Sequence, residues 1–291
     1  MASDLVKRVS VFSTGRVRIR PEHVGPTWKN TYFWLFTSRR WTEPRPINVY
    51  VIEHRSGVVL FDTGQDRASV TDVDYFPKGI IGFLYSRLAR FQIAESETLQ
   101  KGLAGLGLSG SDIHSAVISH LHQDHIGGLS ELQSANIVLA EPELQSLSNP
   151  MPALRGLMRN HIELPGLRWK PVTMEPLNDP TLTPFTHGHD LFNDGSLVVL
   201  PTPGHTPGSV SLLVRGQGTP LLMVGDLTYD DDLLQKGHLP GVGEKRQMRE
   251  SAERVNLLRD HLPGLVVLPA HDPRAAQRLA GALAPLTSSA R

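Results

Sequence analysis

The sequence predicts a layered α/β protein, and its pattern of apolar segments leads to this class. Short β-rich segments occur both early and late in the chain, with helical patterns interspersed among them. Turn residues bound each of these segments. No internal repeat, low-complexity tract or Pro/Gly/Ser-rich linker divides the 291 residues. We therefore expect one domain over residues 1–291, which is long enough to bury a sizeable core.

The candidate strands begin with a hairpin. Two β-rich runs, NVYVI from Asn48 and VVLFD up to Asp62, flank a turn at Arg55-Ser56-Gly57. The second run leads directly into the turn Asp62-Thr63-Gly64. Later strand candidates are Ala116–Ser119, Ile137–Ala140, Leu197–Leu200, Ser209–Val214, Leu221–Val224 and Leu265–Leu268.

The clearest helical pattern extends from Gln247 to Leu262. Apolar residues such as Met248, Ala252 and Val255 recur there at helical spacing until Pro263-Gly264 ends the pattern. Two further helices are predicted, at Glu97–Leu106 behind a Ser96 cap and at Arg274–Ala284.

Composition excludes several functional classes. The chain has 29 basic and 29 acidic residues, so no global field attracts nucleic acid or an anionic membrane. It contains no cysteine, which rules out disulfides, thiolate nucleophiles and Cys-ligated metals. The longest apolar runs are far shorter than the roughly 18 residues of a membrane span, and the N-terminal segment lacks a signal-peptide core. We therefore expect a cytoplasmic protein without membrane or nucleic-acid partners.

The strongest functional signal is the segment SHLHQDHIGG, residues 119–128. It follows the apolar run AVIS, and open α/β sheets commonly place their sites at the carboxyl ends of strands. Side chains two positions apart in an extended chain point the same way, so His120 and His122 can present imidazoles to one metal ion. After the chain turns, Asp124 and His125 can face a second ion.

Further candidate ligands follow later strands. His205 lies in PTPGHTPGS between two strand candidates, Asp226 ends LLMVGD, and His271 follows LVVLPA. Nitrogen and carboxylate ligands without sulfur suit zinc, and equally manganese, iron or cobalt. A lone histidine at a strand end is more often a hydrogen-bonded loop residue than a ligand. The prediction of a metal site therefore depends on all these positions together.

Other histidines receive structural interpretations. His187 and His189 also have His-x-His spacing, but they lie in the turn-rich stretch TPFTHGHD with no strand candidate before them. We therefore interpret them as part of a solvated loop. Six histidines have no partner at metal spacing and are interpreted as surface or structural residues: His23, His54, His114, His161, His238 and His261.

Taken in order, the candidate ligands resemble the pattern of the metallo-β-lactamase superfamily, a His-x-His-x-Asp-His loop followed by a His, an Asp and a His on later strands. The turn at Asp62 is similar to the early Asp motif of that superfamily. The resemblance implies an αβ/βα four-layer sandwich, in which two mixed β-sheets pack together with helices on the outer faces. It also implies two divalent metal ions, zinc being the first expectation. By this resemblance one ion is held by His120, His122 and His205, the other by Asp124, His125 and His271, and Asp226 bridges them.

Within the superfamily, the segment GDLTYDD resembles the N-acyl-homoserine lactonases. It places Tyr229 three positions beyond Asp226, where those lactonases carry a tyrosine that assists at the substrate carbonyl or leaving oxygen. A phenol so placed can stabilise developing negative charge, although a loop tyrosine packed on the surface would have the same spacing. The resemblance implies a hydrolase that opens lactone or ester bonds with a hydroxide held between the ions. Asp124, Asp226 and Tyr229 are then the candidate catalytic residues.

The sequence departs from the lactonase group between His125 and His205. Met151, Leu154 and Leu157 recur at helical spacing, which predicts a helical insertion around residues 141–170. This insertion either packs on the body of the protein or forms a pocket wall for an acyl chain. The apolar stretches 32–36 and 76–91 likewise suit core, a pocket for a hydrophobic acyl or aromatic substrate, or a homodimer contact.

Two other functions are compatible with the same fold. One is a superfamily hydrolase that acts on phosphotriesters, phosphodiesters, aryl esters or thioesters. The other is a nucleic-acid-processing or nucleic-acid-binding protein, which the neutral composition disfavours. The leading hypothesis is a lactonase of the N-acyl-homoserine type with a small-molecule substrate.

Overall fold

A computed structural model describes residues 5–216 and 218–284 of the chain. Its strands are β1 (Val6–Ile19), β2 (Arg45–His54), β3 (Gly57–Phe61), β4 (Ala89–Gln92), β5 (Ile113–Val117), β6 (Asn136–Ala140), β7 (Arg168–Val172), β8 (Glu175–Pro176), β9 (His187–Asp190), β10 (Leu197–Pro201), β11 (Val210–Val214), β12 (Leu221–Met223) and β13 (Val266–Leu268). Its α-helices are α1 (Pro21–Val24), α2 (Thr31–Thr37), α3 (Ala68–Thr71), α4 (Gly79–Leu88), α5 (Leu99–Gly105), α6 (Gln123–Ile126), α7 (Glu141–Gln145), α8 (Arg159–Ile162), α9 (Asp231–Gln235), α10 (Lys245–His261) and α11 (Ala275–Leu283). Short 3-10 turns lie at Gly110–Asp112, Leu129–Glu131, Ser146–Ser148, Pro152–Arg155 and Pro180–Leu182.

The strands form two mixed sheets. The first has the order β4-β1-β2-β3-β5-β6-β7, and the second has the order β13-β12-β11-β10-β9-β8. In the first sheet, β1 to β3 pair antiparallel, whereas β3, β5, β6 and β7 pair parallel. In the second sheet only β12 and β13 pair parallel.

Side-chain alternation along the strands shows how the two sheets pack. In β2, Tyr50 and Ile52 belong to a core cluster that also contains residues of the second sheet, such as Leu197 of β10. The intervening Val49 and Val51 belong to a different cluster with residues of α5. Because successive side chains of a strand point to opposite faces, the first cluster lies between the sheets.

The second sheet shows the same alternation. In β10, Val199 joins the cluster between the sheets, whereas Val198 and Leu200 pack with Ala252 and Val255 of α10. Helices therefore cover the outer face of each sheet. The predicted α/β sandwich of two mixed sheets with outer helices is confirmed.

Two segments differ from their sequence-based interpretation. His187 and His189 lie in strand β9, which pairs antiparallel with β10, and not in a solvated loop. This strand forms because it extends the second sheet beyond β10, which overrides the turn-rich composition. Its histidines are exposed or half-buried, and neither belongs to a cluster of candidate metal ligands among the described residues.

The segment 141–170 contains short helical turns in place of one inserted helix. Backbone conformation explains the interruption, since Met151 and Gly156 have positive φ angles of 50° and 88° and Pro152 lies between them. Leu157 is buried, whereas Leu154 is half exposed, so only part of the apolar pattern packs on the body.

No helix in the described part of the chain is both long and apolar enough to cross a membrane.

Candidate metal centre

The seven predicted ligands lie together, in loops that follow strands of both sheets. The loop after β5 carries the His120–His125 segment, with His122 at the N-terminus of the short helix α6. His205 lies between β10 and β11, and Asp226 and His271 follow the parallel pair β12 and β13. Their potential ligand atoms form three overlapping groups, each within 4.8 Å, which are His120–His122–His205, His120–His125–Asp226 and Asp124–His125–His271.

Three imidazoles converge in the first group. Nδ1 of His122 lies 3.0 Å from Nε2 of His120 and 3.0 Å from Nε2 of His205. Nitrogen ligands at 2.0–2.1 Å in a tetrahedral arrangement are separated by about 3.4 Å. The observed separations are within a few tenths of an ångström of that value. The three nitrogens are therefore arranged as the ligands of one small cation.

Beside this first group, a second group is formed by two imidazoles and two carboxylates that the other two clusters contribute, namely those of His125, His271, Asp124 and Asp226. Oδ1 of Asp226 lies 3.4 Å from Nε2 of His125 and 3.3 Å from Nε2 of His271. Oδ2 of Asp124 lies 3.5 Å from the same His271 nitrogen. The other oxygen of Asp226, Oδ2, is 3.6 Å from Nε2 of His205 in the first group. The two oxygens of this carboxylate thus face different groups, as a bridging ligand requires.

Hydrogen bonds behind the rings fix which nitrogen faces the centre. Nε2 of His122 donates to the carbonyl of Arg155 at 3.0 Å, which leaves Nδ1 facing the other imidazoles. Nδ1 of His125 lies 2.8 Å from Oδ2 of Asp62, and Nδ1 of His271 donates to the carbonyl of Pro46 at 2.9 Å. Such contacts orient metal-binding histidines and set their tautomers.

A glycine permits the contact to His122. Gly156 has a φ angle of 88°, and a Cβ built there would lie 2.5 Å from Cδ2 of the His122 ring. Only a residue without a side chain allows the backbone to approach the imidazole this closely. The unusual conformation at Gly156 therefore serves the orientation of a candidate ligand.

Charge and burial at the centre suit divalent cations. Nε2 of His125 and Oδ1 of Asp226 are buried without a hydrogen-bond partner among the described residues, an arrangement that costs free energy unless a cation satisfies both atoms. Burial raises the pKa of Asp226, but the imidazoles of His271 and His125 outweigh it and hold that pKa well below its usual range. Burial and the neighbouring imidazoles lower the pKa of His120. An ionised carboxylate and a neutral imidazole are the forms that bind metal.

His125 behaves differently from His120. Burial lowers the pKa of His125, but the carboxylates of Asp62 and Asp226 outweigh it and raise that pKa well above its usual value. Metal binding at this ring must therefore release a proton, which makes affinity dependent on pH.

Tyr229 lies at the edge of the centre. Its side chain is buried, and its hydroxyl donates to Oδ2 of Asp226 at 2.7 Å. Its ring stacks on that of His271, with the ring centres 5.6 Å apart. Burial and the nearby Asp226 raise the pKa of the phenol, so the hydroxyl keeps its proton at neutral pH. The surface position that the spacing also allowed is therefore wrong.

Glu143 of α7 is a residue that the sequence did not single out. It is fully buried, and Oε1 accepts a hydrogen bond from the backbone of Leu121 at 2.9 Å. Oε2 accepts from the Thr206 hydroxyl at 2.7 Å and from the backbone of Gly208 at 3.0 Å. One carboxylate thus joins the loop that carries His120 and His122 to the loop that carries His205.

We expect Glu143→Ala to destabilise the protein and to weaken metal binding. The substitution leaves the backbone N–H groups of Leu121 and Gly208 buried without a partner, which costs about 3 kcal/mol or more of unfolding free energy. The Thr206 hydroxyl loses one acceptor but keeps its contact with Ser209. Disorder in both ligand loops should lower metal affinity by roughly 10–100-fold, as loss of contacts behind the ligands does elsewhere. Urea denaturation of the metal-free protein and competition against a chromophoric chelator measure the two effects.

Glu141→Ala is the matched control. Glu141 is exposed on the same helix and accepts a hydrogen bond only from Gln145 in the described structure. The Glu141→Ala substitution should leave the free energy of unfolding and the metal affinity unchanged. Unaltered metal affinity in the Glu143 variant would show that the carboxylate does not position the ligand loops.

His23 was also missed, since it was interpreted as a surface or structural residue. Its Nε2 lies 3.0 Å from the hydroxyl of Tyr229, and its ring packs edge-on against the tyrosine ring. Loss of solvent around the ring lowers the pKa of His23 to about 4, against the opposing effect of Asp226 and Asp124. No sequence motif links His23 to this centre, because 206 positions separate it from Tyr229.

Known proteins similar to this chain include a lactonase and a metallo-hydrolase. N-acyl homoserine lactonase AttM from Azorhizobium caulinodans is 29% identical over 243 residues, which cover 79% of this chain and 83% of the relative. A probable metallo-hydrolase from Mycobacterium tuberculosis is 28% identical over 273 residues, which cover 90% of this chain and 86% of the relative.

Solved structures share the fold. A mutant of B. thuringiensis AiiA with N-decanoyl-L-homoserine bound at its active site superposes with a TM-score of 0.73 at 19% identity over 94% of this chain and 96% of that chain. AidC, a dizinc quorum-quenching lactonase, superposes with a TM-score of 0.57 at 18% identity over 93% and 92%.

The sequence profile of the Metallo-beta-lactamase superfamily matches residues 42–271, a span that begins before the strand pair β2 and β3 and ends at the last candidate ligand. Because this match covers most of the chain, and the two sheets and their strand-end loops agree with it, the protein belongs to the metallo-β-lactamase superfamily.

Proposed function

We propose that this protein is a metal-dependent lactonase that opens the ring of N-acyl-homoserine lactones, a quorum-quenching activity. The observation that carries the proposal is the hydroxyl of Tyr229, which lies 2.7 Å from the carboxylate of Asp226. This carboxylate faces both groups of imidazoles, so the phenol lies beside the position where a substrate carbonyl would meet the ions. The relatives named N-acyl homoserine lactonases support the same substrate class.

In this proposal the ligands are those that the sequence predicts. Two divalent ions, zinc first among them, would supply an ionised water near neutral pH and would polarise the carbonyl of the lactone. The residues that would hold them are His120, His122 and His205 for one ion, Asp124, His125 and His271 for the other, and Asp226 for both.

The protein's own groups have separate roles in ring opening. The Tyr229 hydroxyl donates a hydrogen bond to the lactone oxygen on which negative charge develops. Asp124 holds the proton that the attacking water loses and passes it to the leaving ring oxygen. Asp124 suits this role because its side chain is 18% exposed, against 5% for Asp226, and is therefore the more accessible of the two carboxylates.

Apolar surface near the centre suits a hydrophobic acyl or aromatic group on the substrate. Phe36 of α2 and Phe83 of α4 are exposed and stack on each other with ring centres 6.4 Å apart. Helix α4 connects to the centre through Tyr85, whose hydroxyl donates to the carbonyl of Ala153 in the turn that also contacts His122. Further exposed apolar residues are Tyr32 and Phe33 of α2, Ile80 of α4, and Trp28, which precedes α2.

A cavity of about 450 Å³ adjoins this surface and is large enough for an acyl chain. Phe76, Tyr85 and Phe91 line it, together with polar residues such as Ser69 and Arg90. A homodimer would cover the same exposed helices, so cavity occupation and dimer contact are both compatible with them.

The test is hydrolysis by purified, metal-loaded protein. Acid release should follow addition of a long-chain N-acyl-homoserine lactone and should be slower with a short acyl chain. Four other substrates are assayed beside the lactone in chromogenic or coupled assays, namely a phosphotriester, a phosphodiester, an aryl ester and a thioester. No rate above buffer across a panel of lactones would remove the substrate assignment, and faster turnover of a phosphoester would reassign the reaction.

We expect removal of metal to abolish this activity reversibly. The ligand side chains alone include no activated serine or cysteine nucleophile, since the chain lacks cysteine and its centre is built of imidazoles and carboxylates. Dialysis against a strong chelator should reduce the rate to that of buffer, and zinc or manganese should restore it. Full activity after metal content has fallen below a tenth of the starting value would contradict a metal-dependent reaction.

A further inference from the structure

His23 occupies a fixed position beside the metal centre. It lies on the short helix α1, where its backbone N–H donates to Arg20 at 2.9 Å and its carbonyl accepts from Gly241 at 3.0 Å. The ring packs against Tyr229 and the buried Trp34, with ring centres 5.3 Å and 6.0 Å away. The imidazole is therefore held by two aromatic neighbours and by the backbone.

The hydrogen bonds around Tyr229 determine which atom donates and which accepts in each contact. The phenol oxygen lies 2.7 Å from Oδ2 of Asp226 and 3.0 Å from Nε2 of His23. An ionised carboxylate only accepts hydrogen bonds, so the single phenol proton must point to Asp226. Nε2 of His23 must then carry a proton and donate it to the phenol oxygen. This assignment holds for the neutral ring and for the charged ring alike.

The other ring nitrogen agrees with this assignment. Nδ1 of His23 is buried and has no hydrogen-bond partner among the described residues. A neutral ring with its proton on Nε2 leaves only a lone pair at Nδ1, so no N–H of the ring is buried without an acceptor.

We propose that His23 is a positioning residue, which occupies the acceptor side of the Tyr229 oxygen and so directs the phenol proton into the metal centre. The inference deepens the proposed function and rests on it for the role of Tyr229. When a substrate oxygen lies beside the phenol, the proton turns from Asp226 to that oxygen while the bond from His23 persists. Without His23, only the contact to Asp226 fixes the hydroxyl. Once the proton leaves that carboxylate for a substrate oxygen, no other contact among the described residues holds it in the centre, and the substrate loses the bond for part of the time.

A double-substitution cycle tests the proposal. His23→Leu should lower kcat about tenfold, the value of one hydrogen bond, while KM and metal content stay near those of the wild type. His23→Gln retains an N–H in the position of Nε2 and should recover most of the lost rate. In a Tyr229→Phe background, His23→Leu should have little further effect, because the oxygen that it serves is absent.

Three results would overturn the proposal. The first is that His23→Leu lowers kcat equally in the wild-type and Tyr229→Phe backgrounds. The second is that His23→Gln is no faster than His23→Leu. The third is that His23→Leu leaves kcat unaltered. The cycle is run on whichever ester the wild type hydrolyses fastest. Failure on lactones alone therefore bears on the substrate proposal and leaves this test intact.

A spectroscopic measurement gives a readout that does not depend on turnover. In zinc-loaded protein labelled with ¹⁵N-histidine, the signals that disappear in His23→Gln belong to His23. They should show the proton on Nε2, and the Nε2 signal should shift in Tyr229→Phe. A proton found on Nδ1 with Nε2 bare, or an Nε2 signal unaltered by Tyr229→Phe, would overturn the assignment.

Discussion

Replacing Asp226 with alanine should abolish hydrolysis and reduce the metal content from two ions per chain to one or fewer. The carboxylate lies 3.3 Å from Nε2 of His271 and 3.6 Å from Nε2 of His205, so its loss removes a ligand from both groups. It also leaves His125 and His271 without the anion that balances cations in a buried site. Elemental analysis of purified protein and the rate of lactone opening measure the two effects.

Asp260→Ala is a suitable control, because Asp260 is exposed on α10 and the substitution removes the same charge from the surface. It should retain two ions and the wild-type rate. His122→Ala should lower metal content and activity as well, because its Nδ1 contacts two other imidazole nitrogens of the first group. Full occupancy by two ions in the Asp226 variant would contradict the bridging role.

Replacing Tyr229 with phenylalanine should separate chemistry from metal binding. The hydroxyl contacts Oδ2 of Asp226, but the ring and its stacking on His271 survive the substitution. Loss of a hydrogen-bond donor to developing negative charge typically costs about a hundredfold or more in kcat. We therefore expect a variant with two ions, a KM near that of the wild type and a kcat lower by about this factor.

Tyr50→Phe is a matched control for the loss of a buried phenol. Its hydroxyl donates to the carbonyl of Pro269 at 2.9 Å and makes no hydrogen bond to a candidate ligand side chain in the described structure. The Tyr50→Phe substitution should lower the free energy of unfolding by about 1 kcal/mol and leave kcat intact. A Tyr229→Phe enzyme with wild-type kcat would show that the phenol takes no part in the reaction.

Much of the fold follows from local patterns in the sequence. The runs NVYVI and VVLFD are apolar on both faces because β2 and β3 lie inside a sheet that is covered on both sides. Helix α10 is equally predictable from the sequence, since its buried residues Met248, Ala252 and Val255 recur at helical spacing. Strand β1 was missed, because its 14 residues mix charged and apolar side chains and only five of them are buried.

The candidate ligands were visible because each follows an apolar strand. Strand ends of the two sheets meet at one edge, so residues far apart in sequence, such as His125 and His271, come together. Glu143 and His23 had no such signal. Each acts through a tertiary contact of one side chain, with Leu121 or Tyr229, and such contacts leave no periodicity or spacing in the sequence.

The segment after Glu141 shows why spacing alone misleads. Apolar residues recur at helical intervals there, but Pro152 and the left-handed conformation at Gly156 divide the segment into short turns. This segment contributes a backbone carbonyl to the centre, since the carbonyl of Arg155 orients His122. A continuous helix could not present that carbonyl, because helical carbonyls bond within the helix.

Anomalous diffraction from crystals of the zinc-loaded protein tests the central claim most directly. We expect two peaks per chain, about 3.5–4 Å apart, with Asp226 between them. One should lie among the nitrogens of His120, His122 and His205, and the other beside His125 and His271. A single peak, or two peaks away from these side chains, would contradict a binuclear centre built from them.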